Sequence, residues 1–328
     1  MLCFYNNIFF MNIKVFFILI CFSLAERGNF MSFIPKDYGL SDEKIRQIQK
    51  VIDTLIMGGR SNNTIKNYVC AISRFLKYYE KKDISKFSVE NIAEYIKKNY
   101  LNKDCGVDTY NLNISAIKYF YIINFRKEFN NKLLPRAKRT KKLPLTIDKK
   151  IFIKILNEEN NLKHKCWLLL AYCSGLRAEE VASIKIINIH SDKHELKVLG
   201  KRKKERLTIL PDITIECLRQ YYKHKYCKKY NKKKNLSGYL FEGSKGKKHT
   251  SAKTIINYFT LIKEKYNLED NITFHSLRHS FASNFIKAGG DPFVLKSMLG
   301  HSSMNTTAIY IHMGRDFNNL KGVNYYGI

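Results

Sequence analysis

"FHSLRHSFASNFIKAGGDP", residues 274–292, sets two imidazoles and a guanidinium within five positions of one helical pattern. Phe274, Leu277, Phe281 and Phe285 recur at spacings of three and four, which marks a buried stripe. His275 and Arg278 stand about 60° apart around a helix axis and so share a different face. Gly289 and Gly290 stop the helix. Plain readings exist for both polar residues: His275 caps a neighbouring element, and Arg278 pairs with a core carboxylate. A zinc site on His275 and His279 is disfavoured, because a His-Glu-x-x-His helix needs glutamate where Ser276 stands. Basic and imidazole groups on one face suit an anion, and the rest of the chain indicates which.

Lys and Arg number 58 against 28 Asp and Glu, a formal net charge of +30. Such an excess makes nucleic acid the leading partner, although clusters such as Lys232, Lys233 and Lys234 also suit a merely solvated surface. With 328 residues, 45% of them hydrophobic, the chain can bury a substantial core and suits two domains better than one. Its eight cysteines form no CxxC pair and no zinc spacing, so they are expected to be reduced thiols of a cytoplasmic protein. Residues 1–30 carry the apolar run "VFFILICFSLA", which has the length of a signal-peptide core and is short for a membrane span. A start of translation at Met31 is the favoured reading, with 1–30 a leader or a mis-assigned start.

From Ser41 to about Phe125 the pattern is helical. "SDEKIRQIQKVIDTLIMGG" opens on a candidate N-cap and closes on Gly58 and Gly59. In "SNNTIKNYVCAISRFLKYYE" the residues Ile65, Tyr68, Ile72, Phe75 and Tyr79 form one apolar face. Two more helices fit "SVENIAEYIKKNY" and "VDTYNLNISAIKYFYIINF". "PRAKRTKKLP", 135–144, lacks an apolar face and carries five basic residues between prolines, so it is an expected interdomain linker. Beyond it, "TIDKKIFIKILNEE" and "HKCWLLLAYCSGLRAEEVASI" are helical, and "HELKVLGKRKKERLTIL" alternates on both sides of a basic tip, a hairpin signal. From Ser251 on, helix follows helix. The expected fold is mostly α with a small β-sheet (α+β), divided into 31–134, a linker at 135–145, and 146–328.

Three further segments bring groups of the same chemistry as 274–292. "SGLRAEEV" carries Arg177 and Glu180, "VLGKRKKER" carries Lys201, and "LGHSSMNTTAIYIH" carries His301 and, nine residues on, Tyr310. Taken with "HSLRH", these segments resemble the boxes of the tyrosine recombinases, or phage-type integrases, in the same order and with compatible gaps. The resemblance spans most of 31–312 and is nearest to the Xer-type subgroup. It implies a helical core-binding, SAM-like DNA-binding domain followed by a catalytic domain, double-stranded DNA as partner, and a homo-tetramer on synapsed sites, with room for a second recombinase. No cofactor, metal or membrane is implied. The segment after Tyr310 is expected to dock on a neighbouring protomer.

The catalytic set implied is Arg177, Lys201, His275, Arg278, His301 and the nucleophile Tyr310, with Glu180 supporting an arginine. The chemistry needs such a set. A tyrosine ionises near pH 10, so forming the phenolate at neutral pH costs about 4 kcal/mol. Two guanidiniums can grip the non-bridging oxygens on which charge gathers when the phenol attacks a phosphodiester. The departing sugar oxygen wants a general acid, and Lys201 on the hairpin tip is the candidate. His275 and His301 remain alternatives for the proton work. Each residue also has a duller reading: Tyr310 as a half-buried helix residue, Lys201 as one of a solvated run with Lys203 and Lys204, Glu180 in a surface ion pair, and His279 in packing or a phosphate contact. Rival functions are a type IB topoisomerase-like relaxase, which acts as a monomer, and an inactive DNA-binding accessory protein.

Overall fold

A computed structural model describes residues 34, 38–101, 105–130, 132–138, 143–200, 205–227, 238–243, 249–300 and 307. The 1–30 leader, Lys201, His301, Tyr310 and the segment after Tyr310 lie outside the described residues. Contacts divide the chain into two units, Met1–Lys141 and Lys142–Ile328.

The first unit holds α1 (Asp42–Met57), α2 (Asn62–Tyr78), α3 (Val89–Ile96) and α4 (Val107–Phe125). Helix α2 starts where Ser61 accepts a hydrogen bond from the Thr64 amide, satisfying one of the free N–H groups of the first turn. Its C-terminal end is closed from α1: the Lys44 ammonium donates to the carbonyls of Leu76, Tyr79 and Glu80 at 2.8–3.2 Å. The apolar face of α2 turns inward, and Phe75 meets Tyr79, Phe87, Tyr95 and Tyr121 edge-on with ring centroids 5.0–6.4 Å apart. The start of the basic stretch is tied to α4. Asn111 pairs in both directions with the backbone of Ala137, the Tyr110 hydroxyl donates to the Pro135 carbonyl, and Arg136 donates to the Ser115 hydroxyl.

The second unit is built around α6 (Leu162–Ser174), whose residues from Cys166 to Ser174 are all buried. A helix without a polar face must be covered on every side. It packs against α8 (Asp212–Tyr222) and α10 (Phe274–Lys287), and Phe152 of α5 (Lys149–Glu158) stacks on its Tyr172 at 3.8 Å. Helix α6 ends at Gly175 in the left-handed conformation (φ 69°), and α7 (Ala178–Ala182) follows at once. Among the described residues one antiparallel sheet appears, in the order β1 (Ile189–His190), β2 (Glu195–Leu199), β3 (Glu205–Ile209). Leu196 and Val198 alternate inward on β2, and the buried Thr208 hydroxyl of β3 donates to the Ser174 carbonyl at 2.8 Å, which fixes the hairpin against the end of α6.

Helices α9 (Ala252–Lys265), α10 and α11 (Pro292–Leu299) complete the unit. Asp291 caps α11 ahead of Pro292, and Gly300 terminates it with φ 64°. Between α10 and α11 a small apolar cluster gathers Phe281, Phe285, Leu295, Met298 and Leu299. Helix α10 departs from the amphipathic picture drawn from its sequence. Ser276, Ser280 and Ser283 are buried beside the phenylalanines, and Arg278 is only 2% exposed. The small serines let neighbours approach closely, and Ser280 makes hydrogen bonds to the Ile147 amide and the Ser276 carbonyl. Among the described residues no helix is long and apolar enough to cross a membrane.

Candidate active site

The turn after α6 gathers the first part of the site. Gly175 lets the chain reverse at a positive φ and leaves room for its neighbours: a Cβ there would fall 2.5 Å from the Phe281 ring and 2.8 Å from a Leu299 methyl. Arg177 then occupies the N-cap of α7 and keeps 40% of its side chain exposed. Glu180, one turn on, folds back so that Oε2 accepts the Arg177 amide at 2.8 Å, while Oε1 accepts the Arg177 guanidinium at 2.9 Å.

Arg278 enters from α10. Its Nη1 donates to the Gly175 carbonyl and its Nη2 to the Leu299 carbonyl, both at 2.6 Å, and Nη1 stands 3.6 Å from Glu180 Oε2. One buried guanidinium therefore joins the residue two before Arg177 to the last residue of α11, from which the chain passes through Gly300 to His301. A cation placed at the free carbonyls of a helix C-terminus also meets its negative dipole end.

Sequence reasoning missed Arg206. It lies on β3 with its side chain only 8% exposed, and its fork donates Nη1 to Glu180 Oε1 and Nη2 to Oε2, each at 2.8 Å. Its Nε donates to the Met298 carbonyl at 2.7 Å. The signal available in the sequence was weak: within "GKRKKERL" Arg206 is one of several basic residues, and only its place one step inside the strand sets it apart.

Glu180 is 7% exposed, so the surface ion pair considered from sequence does not apply. Burial pushes its carboxyl up, yet the hydrogen bonds and charge of Arg206, the Arg177 amide and the charge of Arg278 together hold it below the usual glutamate range. His275 keeps an exposed edge. Desolvation, then the charges of Arg278 and Arg177, lower its pKa from the ordinary histidine value. His279 meets His275 edge-on at 4.6 Å between centroids and is held at about 4 by burial and by His275.

The structure thus brings together Arg177, Glu180, His275 and Arg278, from segments a hundred residues apart. Of the remaining expected site residues, Lys201 falls between Leu199 and Glu205, the paired ends of β2 and β3, and His301 follows Gly300. Buried, helical Thr307 lies three residues before Tyr310.

Comparison with known proteins agrees with this arrangement. Residues 147–315 match the model of the phage integrase family, and 48–129 match that of the phage integrase N-terminal SAM-like domain. A tyrosine recombinase of Thermosipho africanus is 31% identical over 271 residues, covering 77% of this chain and 89% of the relative. Tyrosine recombinase XerD of Oceanobacillus iheyensis is 28% identical over 276 residues, covering 78% and 89%. The fold is also that of XerH site-specific recombinase bound to a palindromic difH substrate (TM-score 0.65, 18% identity, 88% of this chain and 92% of that one). A Tn1549 transposon integrase in complex with circular intermediate DNA is similar at TM-score 0.63 and 18% identity, covering 80% and 94%. With two guanidiniums and an imidazole assembled from the expected boxes, and a family match over more than half its length, the chain belongs to the phage integrase family, the tyrosine recombinases, enzymes that break and rejoin DNA at specific sites.

Proposed function

We propose that this recombinase works on double-stranded DNA in the cytoplasm as a homo-tetramer on paired sites, with Tyr310 as nucleophile. On this reading residues 31–134 and 146–328 bind the duplex, and 135–145 follows the phosphate backbone between them. The phenol oxygen of Tyr310 forms a bond to the scissile phosphorus, and the bond from phosphorus to the 5′ oxygen breaks. The phenol proton passes to His275, Lys201 supplies a proton to the departing 5′ oxygen, and a 3′-phosphotyrosine remains. Reversal of these steps by another 5′ hydroxyl reseals the strand, and the ester keeps the energy of the broken bond.

Arg177 and Arg278 face the charge that builds on the non-bridging oxygens, and His301 adds a hydrogen bond there. The meeting of Arg177, Glu180 and Arg278 beside His275 supports this reading most, because it creates one cationic corner from two elements, α7 and α10, that lie about a hundred residues apart in the chain. The test is covalent attachment to a nicked duplex bearing a site selected from random sequence. Wild-type protein should become linked to the 3′ end, and Tyr310→Phe should bind the duplex without becoming linked. Attachment by Tyr310→Phe removes that residue from the role.

A further inference from the structure

We infer that Arg206 is a positioning residue for DNA cleavage: by filling the Glu180 carboxylate it keeps Arg177 and Arg278 aimed at the scissile phosphate. The inference rests on the reading of the site given above and adds a residue to it.

A carboxylate offers about four acceptor positions, two on each oxygen. In Glu180 all four are taken. Oε1 receives Arg206 Nη1 and Arg177 Nη1, and Oε2 receives Arg206 Nη2 and the Arg177 amide, all at 2.8–2.9 Å. Arg278 Nη1 is left 3.6 Å from Oε2, beyond hydrogen-bond length, and donates instead to the Gly175 carbonyl. Arg206 supplies half of this saturation. Without it, a buried anion with two open acceptor positions would lie one short movement from Arg278, and the cheapest partner would be the guanidinium that the phosphate needs.

The same side chain spans to the far wall of the site. Its Nε holds the Met298 carbonyl, one residue before the carbonyl that Arg278 holds. Its Cδ lies 3.0 Å from where a Cβ at Gly300 would stand, so it also shapes the turn leading to His301. Because Arg206 belongs to β3, which follows Lys201 in the chain, one guanidinium ties three segments together: α7 through Glu180, β3 itself, and the end of α11 through Met298. A lysine could keep the charge but could not fork across both oxygens while holding a third acceptor.

The test compares Arg206→Met and wild type on two nicked duplexes, one with an ordinary scissile diester and one with a methylphosphonate there, which removes the charged non-bridging oxygen. Expected is a slowing of covalent attachment by about 10- to 100-fold on the diester, by analogy with the loss of a partner that orients a metal-binding side chain. On the neutral methylphosphonate, which makes less demand on the two guanidiniums, the slowing should be under about threefold. Neutralising the surplus anion as well, in Arg206→Met with Glu180→Gln, should recover at least about fivefold on the diester, since coupled partners are non-additive.

If Arg206→Met does not fold, Arg206→Lys carries the same comparison, with a smaller loss again confined to the diester. Equal slowing on both duplexes, or no recovery in the double variant, overturns the inference and leaves Arg206 a structural residue. A wild-type protein that attaches to neither duplex overturns the functional reading, and this inference with it.

Discussion

Arg278 Nη2 donates to the carbonyl oxygen of Leu299 at 2.6 Å while Nη1 holds the Gly175 carbonyl at the same distance, so one buried guanidinium sets the gap between the turn after α6 and the end of α11. The two contacts need two nitrogens in one rigid plane, and an ammonium cannot supply both. Arg278→Lys should therefore slow covalent attachment by about 10²–10³-fold, as loss of a donor to a developing oxyanion does. Binding to the intact duplex, read by gel shift, should change far less, since the chain retains its many other cations.

Lys201→Ala should separate leaving-group protonation from the rest of the chemistry. With the ordinary 5′ oxygen the variant should slow by about 10²–10⁴-fold. With sulfur at the 5′ bridging position the rate should approach wild type, because a thiol of pKa about 8.5 departs without a proton. Equal slowing on the two substrates would assign the acid elsewhere.

Gly175→Ala should destabilise the second unit. The alanine would need a left-handed backbone and would drive its methyl into Phe281 and Leu299. Backbone strain and overpacking together suggest about 2–4 kcal/mol, measured by urea unfolding. Because the intruding methyl also presses on Leu299, cleavage by the folded fraction should fall as well.

Single-turnover cleavage should depend on pH through His275. Its folded pKa is depressed, so the neutral base is present across the neutral range and is lost only as pH falls below the ordinary histidine value of about 6.5. The rate should be level above that point and fall on the acid side, and His275→Ala should be slow with the acid fall removed. An acid fall that survives His275→Ala would pass the proton to another group, His301 first.

The elements that sequence periodicity marked are those in which one local cause dominates. Helix α4 runs from Val107 to Phe125, the stretch read as helical, and the hairpin alternation of Glu195–Leu199 and Glu205–Ile209 is the observed β2 and β3. Gly59 and Gly289, read as stop signals, take positive φ at helix ends, whereas the break at Gly175 falls inside a stretch read as one helix. The arginine and histidine boxes were legible because their order is a property of the chain alone. The burial of Arg278 was not, since a basic residue beside a histidine gives no sign that α10 will be covered on more than its phenylalanine side.

Chain order alone determined most of the helices, though not α8, and with them the hairpin, the basic character and the family resemblance. Tertiary structure alone decided that Glu180 is buried among arginines, and that Arg206, unremarkable in its charge run, closes that cluster. The reason is physical: periodicity reports which face of an element is apolar, whereas the partner of a buried charge is fixed by which distant elements meet, and 26 residues separate Glu180 from Arg206.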